Sequence, residues 1–305
     1  MRDKNGAAWP QEGLEPYIGY VSTFIHLNIN LGSAEACGRY FSVWMARYRK
    51  LMRDWSGHDT AIWCVRLRQS LKSTFVSTHF ALKASEARDT GSHAVFYYLS
   101  YYAVLHAVWG VMYLHPDERT DAIAKPTHSK LPNVFQSAFC GHSGIIRYPI
   151  KQMMEDLRVR REYYSYRMPM NSPFDDDDDA RGWTSSVGGL VKQCIQLANL
   201  HSHLISEAAE REGVSLTSME EAWRGNFIEV FRTINSQRNP ANGGWFMEPA
   251  DESALAEYLL HGCKLYGHSV MFEHLSDEFM SYAGNGIDDL GNANKVRSLV
   301  YRGLF

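Results

Sequence analysis

Four arginines and three tyrosines crowd one short stretch: Arg158, Arg160, Arg161 and Arg167, with Tyr163, Tyr164 and Tyr166. Guanidinium groups grip phosphate with paired donors and tyrosine rings stack on bases, so the pattern suits RNA or a nucleotide. A plainer use competes. Arginines in a last helical turn favour the dipole and lay their stems over apolar neighbours, and tyrosines pack anywhere. Spacing helps to separate the two. On a helix opening after Pro149 the apolar stripe is Ile150, Met153, Met154 and Leu157, and the next positions on that face are Arg161 and Tyr164. A charge projecting onto a buried stripe needs a partner or a ligand.

Other templates for chemistry fail. The chain has no Gly-x-x-x-x-Gly-Lys-Ser/Thr, no Gly-x-Gly-x-x-Gly, no His-Glu-x-x-His and no Gly-x-Ser-x-Gly. His201 and His203 are two apart, which on a helix puts them on different faces, so a solvated polar patch is expected rather than a metal pair. Cys37, Cys64, Cys140, Cys194 and Cys263 are scattered and odd in number, which reads as buried free thiols. The run Asp175 to Asp179 lacks the alternating ligands, glycine and closing glutamate of a calcium loop. It reads as an exposed, mobile loop over Asn171–Arg181. No metal and no cofactor is expected.

The elements that must carry these residues are helices. Cys37, Tyr40, Phe41, Trp44, Tyr48, Leu51, Met52 and Trp55 recur at helical steps after Ser33, with Ser56-Gly57 as the stop. A second helix is expected from about Ala61 to Arg88. After the break Asp89-Thr90-Gly91-Ser92, His93 to Leu114 is hydrophobic nearly all round, the pattern of a central bundle helix. A shorter helix follows Ser129, another runs from Pro149 to about Tyr166, and a long one covers about Val187 to Arg211. Ser218-Met219-Glu220-Glu221 matches a capping box, and Glu252 to about Met271 reads as a further helix. Any strand is expected only within Tyr17 to Asn30, and Gln237 to Asp251 reads as loop.

The fold class expected is all-α, an antiparallel helical bundle with helical extensions at both ends. The expected division is an N-terminal arm and helix over 1–60, a bundle over 61–170, an acidic linker over 171–185 and a C-terminal helical extension over 186–305. With 45% hydrophobic residues the chain is not disordered, and 31 basic against 34 acidic residues, net −3, excludes a strongly basic nucleic-acid domain. Met1 to Gly13 lacks the apolar core of a secretory signal, and no membrane span is expected, so the chain is expected to be soluble and cytoplasmic.

Several segments, in order, resemble HEPN domains. Ala84 to Gly110 is similar to the first-helix end, short loop and second helix of that superfamily, with Tyr101-Tyr102-Ala103-Val104-Leu105-His106-Ala107 following one bacterial branch closely. Thr127-His128-Ser129, Ser137-Ala138-Phe139 and Leu157 to Tyr166 stand where that branch has its later motifs. The likeness spans Ile62 to Pro169. It implies a four- or five-helix bundle, often dimeric, in a superfamily of metal-independent ribonucleases, toxins and inactive RNA- or nucleotide-binding relatives. Active members carry Arg-x4-6-His on the last core helix. Arg161 matches the arginine, but Tyr166 stands where a histidine is needed, and tyrosine titrates near 10 and is a poor base at neutral pH. The literal matches Arg53/His58 and Arg88/His93 run through glycine-serine helix breaks and read as coincidence.

What the resemblance implies is a protein that binds or cleaves RNA, or binds a nucleotide, in a bacterial toxin–antitoxin or phage-defence system. Arg161 and Tyr166 would be its catalytic positions, and Arg158, Arg160, Tyr163 and Arg167 its RNA- or phosphate-binding ones. An antitoxin or a larger complex would be its protein partner, with a homodimer as its own state. The other reading is a catalytically inactive helical scaffold or interaction subunit of a larger nucleoprotein assembly. A small-molecule enzyme built on the bundle has no convergent acid–base motif to support it.

Overall fold

The structure, a computed structural model, describes residues 13–18, 21–140, 144–167, 178–214, 217–281 and 287–305. The protein is all-α and 77% helical, with 12 helices packed in a bundle among the described residues. In chain order they are α1 Ile25–Leu31, α2 Ala34–Leu51, α3 Gly57–Asp89, α4 His93–Met112, α5 Thr120–Ala124 and α6 Lys130–Phe139. Then come α7 Ile150–Glu162, α8 Asp178–Arg211, α9 Glu221–Asn235, α10 Pro249–His261, α11 His268–Ser281 and α12 Ile287–Leu304.

The long hairpin of α3 and α4 is the centre. Its start is set by a capping box in which the Ser56 hydroxyl accepts from the Asp59 amide and the Asp59 carboxylate accepts from the Ser56 amide. Helix α3 therefore begins four residues earlier than its apolar spacing suggests. Its return is the turn at Gly91, whose φ of 72° suits glycine. The two helices meet closely at Gly110, where the Ser70 hydroxyl donates to the Gly110 carbonyl at 2.6 Å. Phe96, Tyr97, Ala103, Val104, Val108 and Val111 of α4 are buried, and α6, α7 and α8 also pack on this helix. By length and composition alone α4 could cross a membrane (mean hydropathy 1.2), and 67% of that window is buried in the protein.

Several expectations need correction. Tyr17 to Asn30 holds no strand among its described residues. Glu15–Tyr17 is a 3-10 turn and Ile25–Leu31 is helix α1. The reason lies in two asparagines that tertiary contacts use. Asn28 accepts from the Leu14 amide at 3.0 Å and donates to the Glu15 carboxylate, while Asn30 donates to the Ile145 carbonyl at 2.8 Å. The described strands are instead a hairpin, Ser236–Arg238 with Trp245–Met247, which apart from Ser236 lies inside the stretch expected to be loop. Ser218 does not cap α9, which starts at Glu221 with no side-chain cap. Thr217 forms a paired backbone bridge with Cys263, holding that stretch extended.

Helix α8 begins at Asp178, within the stretch read as linker, and packs against α3 and α4. The rest of the acidic run, 175–177, lies outside the described residues, as does most of the loop expected to be mobile. The helix expected over Glu252 to Met271 is two helices, α10 and α11, parted at Gly262 with φ 80°. Helix α12, within the C-terminal helical extension expected over 186–305 but with no bounds of its own there, buries Val296, Val300 and Leu304 against the bundle.

Four buried polar knots join distant elements. Arg68, 5% exposed, binds Asp251 at 2.5 Å and Glu278 at 2.6 Å, and Lys72 binds Asp251 at 2.6 Å, tying α3 to α10 and α11. His201 and His203 are buried, not solvated, and diverge as their spacing requires. The Tyr48 hydroxyl donates to the Leu114 carbonyl and so accepts from His201 Nδ1 at 2.8 Å, leaving Nε2 to accept from Tyr40 at 2.8 Å. His203 Nε2 pairs with Ser269 at 2.6 Å. Arg66 caps the C-terminal end of α4. The five cysteines are free thiols, four of them buried.

Candidate functional site

Helix α7 buries Ile150, Met153, Met154 and Leu157 and so brings Arg161 to the edge of the core, as its spacing predicts. The Arg161 guanidinium carbon lies 4.6 Å from the Tyr101 ring centre and 5.9 Å from that of Tyr102, both on α4. Its charged contact is weak, with Nη2 3.5 Å from a Glu162 oxygen. Glu162 is already held by Arg158 at 2.9 and 3.1 Å. Arg161 is thus placed by its stacking on the two tyrosine rings and by a hydrogen bond to the Tyr102 hydroxyl, with its side chain 18% exposed.

The neighbouring arginines differ. Arg158 is clamped between Glu155 and Glu162, whose carboxylates raise its pKa further, so its donors are committed. Arg160 donates to the Tyr97 hydroxyl at 3.2 Å, one residue around the helix from Arg161. Tyr164 stacks on Tyr97 with ring centres 5.1 Å apart, an inner structural layer. After Glu162 the helix widens into a π turn over Tyr163–Arg167, an irregularity often found at functional sites.

That turn carries Tyr163 and Arg167 outward and leaves Tyr166 78% exposed. Val159, Tyr163 and Tyr166, at steps of four and three, form an exposed apolar stripe beside the arginines. The structure therefore sets Arg160 and Arg161 against Tyr97 and Tyr101 of α4, while Arg158, two residues before Arg160, is turned to Glu155 and Glu162 along α7. Tyr166 projects to solvent while Arg161 turns inward over Tyr101 and Tyr102, so the two are not arranged as a catalytic pair.

Two histidines frame the same face. His106 packs between Phe80 and Trp109, at 5.5 and 5.7 Å, and burial pushes its pKa down to about 4, so it is a neutral core group. His128 is different. It is exposed, in the segment before α6, and its Nδ1 lies 2.7 Å from the Tyr101 hydroxyl. The arginine–tyrosine spacing did not single it out, because 27 residues separate it from Tyr101. The only signal was its place in the Thr127-His128-Ser129 segment. His58 bonds Asn226 and His93 is buried against Tyr164, while Arg88 pairs with Asp89.

Two cavities, of about 470 and 670 Å³, flank Arg68 between α3 and the helices α10 to α12, away from this face. The charged groups between them are spent on one another, through Arg68, Asp251 and Glu278. The arginine–tyrosine face is therefore the stronger candidate, because it holds exposed rings beside a guanidinium that has no close carboxylate partner of its own among the described residues. Against protein-family models, curated proteins and solved structures alike, the chain finds no match.

Proposed function

We propose that the protein is a HEPN-like helical bundle that binds RNA through the arginine–tyrosine face of α7 and α4. The observation that carries this reading is Arg161, whose guanidinium carbon lies 4.6 Å from the Tyr101 ring centre on a helix that goes on to expose Tyr163 and Tyr166. A guanidinium has five N–H donors, and the hydrogen bond to Tyr102 together with the long contact to Glu162 leaves some of them for phosphate oxygens. Exposed tyrosines beside it give unpaired bases a surface to stack on. Residues 158–167 carry four arginines and one glutamate inside a chain of net charge −3, and Glu155 together with Glu162 offsets Arg158, so the positive charge of the face is modest and local. Cleavage by Arg161 with Tyr166 has less support, since Tyr166 stands away in solvent.

The test is titration of a fluorescein-labelled single-stranded RNA, followed by anisotropy at fixed salt. Arg161→Ala is expected to weaken binding about tenfold or more, the scale of a lost charge-assisted hydrogen bond. Its melting temperature should fall by only a few degrees, since one cation–π contact is worth about 1 kcal/mol. Arg161→Lys should recover part of the affinity, as charge returns without the planar fork. Undiminished affinity in folded Arg161→Ala would remove the site, and no RNA binding by the wild type would favour the scaffold reading.

A further inference from the structure

The geometry points to a second phosphate contact at His128, with buried Tyr101 as the residue that positions both His128 and Arg161. This rests on the RNA-binding reading and extends it from one donor to a two-sided clamp.

The inference begins with Tyr101, which is 2% exposed and cannot itself meet a large ligand. Its ring lies under Arg161 with the guanidinium carbon 4.6 Å from the centre, and its hydroxyl bonds His128 Nδ1 at 2.7 Å. The His128 ring centre is 5.9 Å from that of Tyr101. Guanidinium and imidazole, from two different elements, are therefore both anchored to one tyrosine. Their separation is no more than the sum of those two distances, a span that one bridging phosphate with its hydrogen bonds can fill.

The tautomer follows from the same bond. The Tyr101 hydroxyl has no other hydrogen-bond acceptor among the described residues, so its proton is directed at Nδ1. His128 then carries its hydrogen on Nε2, on the opposite edge of an exposed ring. A neutral imidazole in that state is already an N–H donor for a phosphate oxygen. The segment holding it is fixed locally, since the Thr127 hydroxyl accepts from the Lys130 amide at 3.1 Å and Lys130 reaches Glu118 at 3.5 Å. The charged groups acting on Tyr101 are Arg161, Arg158 and Glu162, and Arg158 already holds the glutamate.

The experiment is a double-mutant cycle on affinity for the same labelled single-stranded RNA, using His128→Ala, Tyr101→Phe and the double variant. Tyr101→Phe keeps the ring beneath Arg161 and removes only the hydroxyl. His128→Ala is expected to weaken binding about fivefold, and Tyr101→Phe by a similar or smaller factor. The double variant should be no weaker than His128→Ala alone, because Tyr101 acts through His128. Thermal melting of each variant separates misfolding from lost contact, and Tyr101→Phe should lose affinity without a matching loss in melting temperature.

Affinity within twofold of wild type in His128→Ala, while Arg161→Ala still loses binding, would overturn this inference and leave the RNA-binding reading standing. Additive losses in the double variant would overturn the positioning role of Tyr101. Full binding by both His128→Ala and Arg161→Ala, or no binding by the wild type, would overturn clamp and reading together.

Discussion

Replacing Arg66 with alanine is expected to cost about 3 to 5 kcal/mol of folding stability, on the order of 1 to 3 kcal/mol for each buried carbonyl left without its donor. Arg66 sits on α3 and is 3% exposed. Its Nε donates to the Tyr113 carbonyl at 2.7 Å, Nη2 to His115 at 2.8 Å and Nη1 to Glu118 at 3.1 Å. These carbonyls lie at and just beyond the C-terminal end of α4, where a helix leaves acceptors without partners and the dipole is negative. Burial lowers the Arg66 pKa to about 10, so it remains charged at neutral pH, and its carbon lies 3.9 Å from the Trp63 ring centre. Alanine would strip all three carbonyls at once. Lysine, with one ammonium, should recover only part of the loss. Urea unfolding of both variants checks this, and a loss under about 1 kcal/mol for Arg66→Ala would show that water replaces the guanidinium at little cost.

Acid should destabilise the protein well before its carboxylates titrate. Burial pushes His106, His115 and His203 each down to about 4 in the folded state, against about 6.5 in an unfolded chain. His201 is lowered well below the ordinary value for the same reason, with His115 and Arg47 adding to it. A lowered folded pKa means the unfolded chain binds more protons across this window, so stability falls as pH falls. The contribution is fully present above about pH 6.5, declines through pH 5 and levels off below about 4. At pH 5 each of the three histidines would cost about 2 kcal/mol, on the order of one pKa unit per 1.4 kcal/mol. Urea midpoints at several pH values between 7.5 and 5 should fall steadily. A flat profile over that range would mean that these imidazoles take up protons without disturbing the core. Substituting His106 with glutamine should flatten the slope by about one histidine's share, because glutamine does not titrate.

Much of the architecture was legible because helix formation is local. The stripe from Cys37 to Tyr48, the uniform apolarity of His93 to Leu114 and the run Ile150 to Leu157 each carry their period in adjacent residues. The break at Gly91 was equally visible, since a turn with positive φ favours glycine. Tyr17 to Asn30 was the stretch to which any strand was confined, and it holds none among its described residues, because β-branched and aromatic residues record a preference for a half-buried surface, not a partner. Asn28 and Asn30 are claimed by Glu15 and Ile145 instead, which no local pattern encodes.

For the candidate site, sequence alone determined that Arg161 and Tyr164 continue the buried stripe of α7, because helical geometry fixes which positions share a face. Tertiary packing decided what that means. It laid Arg161 on Tyr101, tied Arg160 to Tyr97, committed Arg158 to two glutamates and left Tyr166 in solvent. It also brought His128 to Tyr101, and placed His201, Arg66 and Asp251 in the interior, where composition would have left them outside. A side chain's hydrogen-bond partner is chosen by whatever the folded chain places within about 3 Å, and that distance has no expression in sequence spacing once the partners lie on different helices.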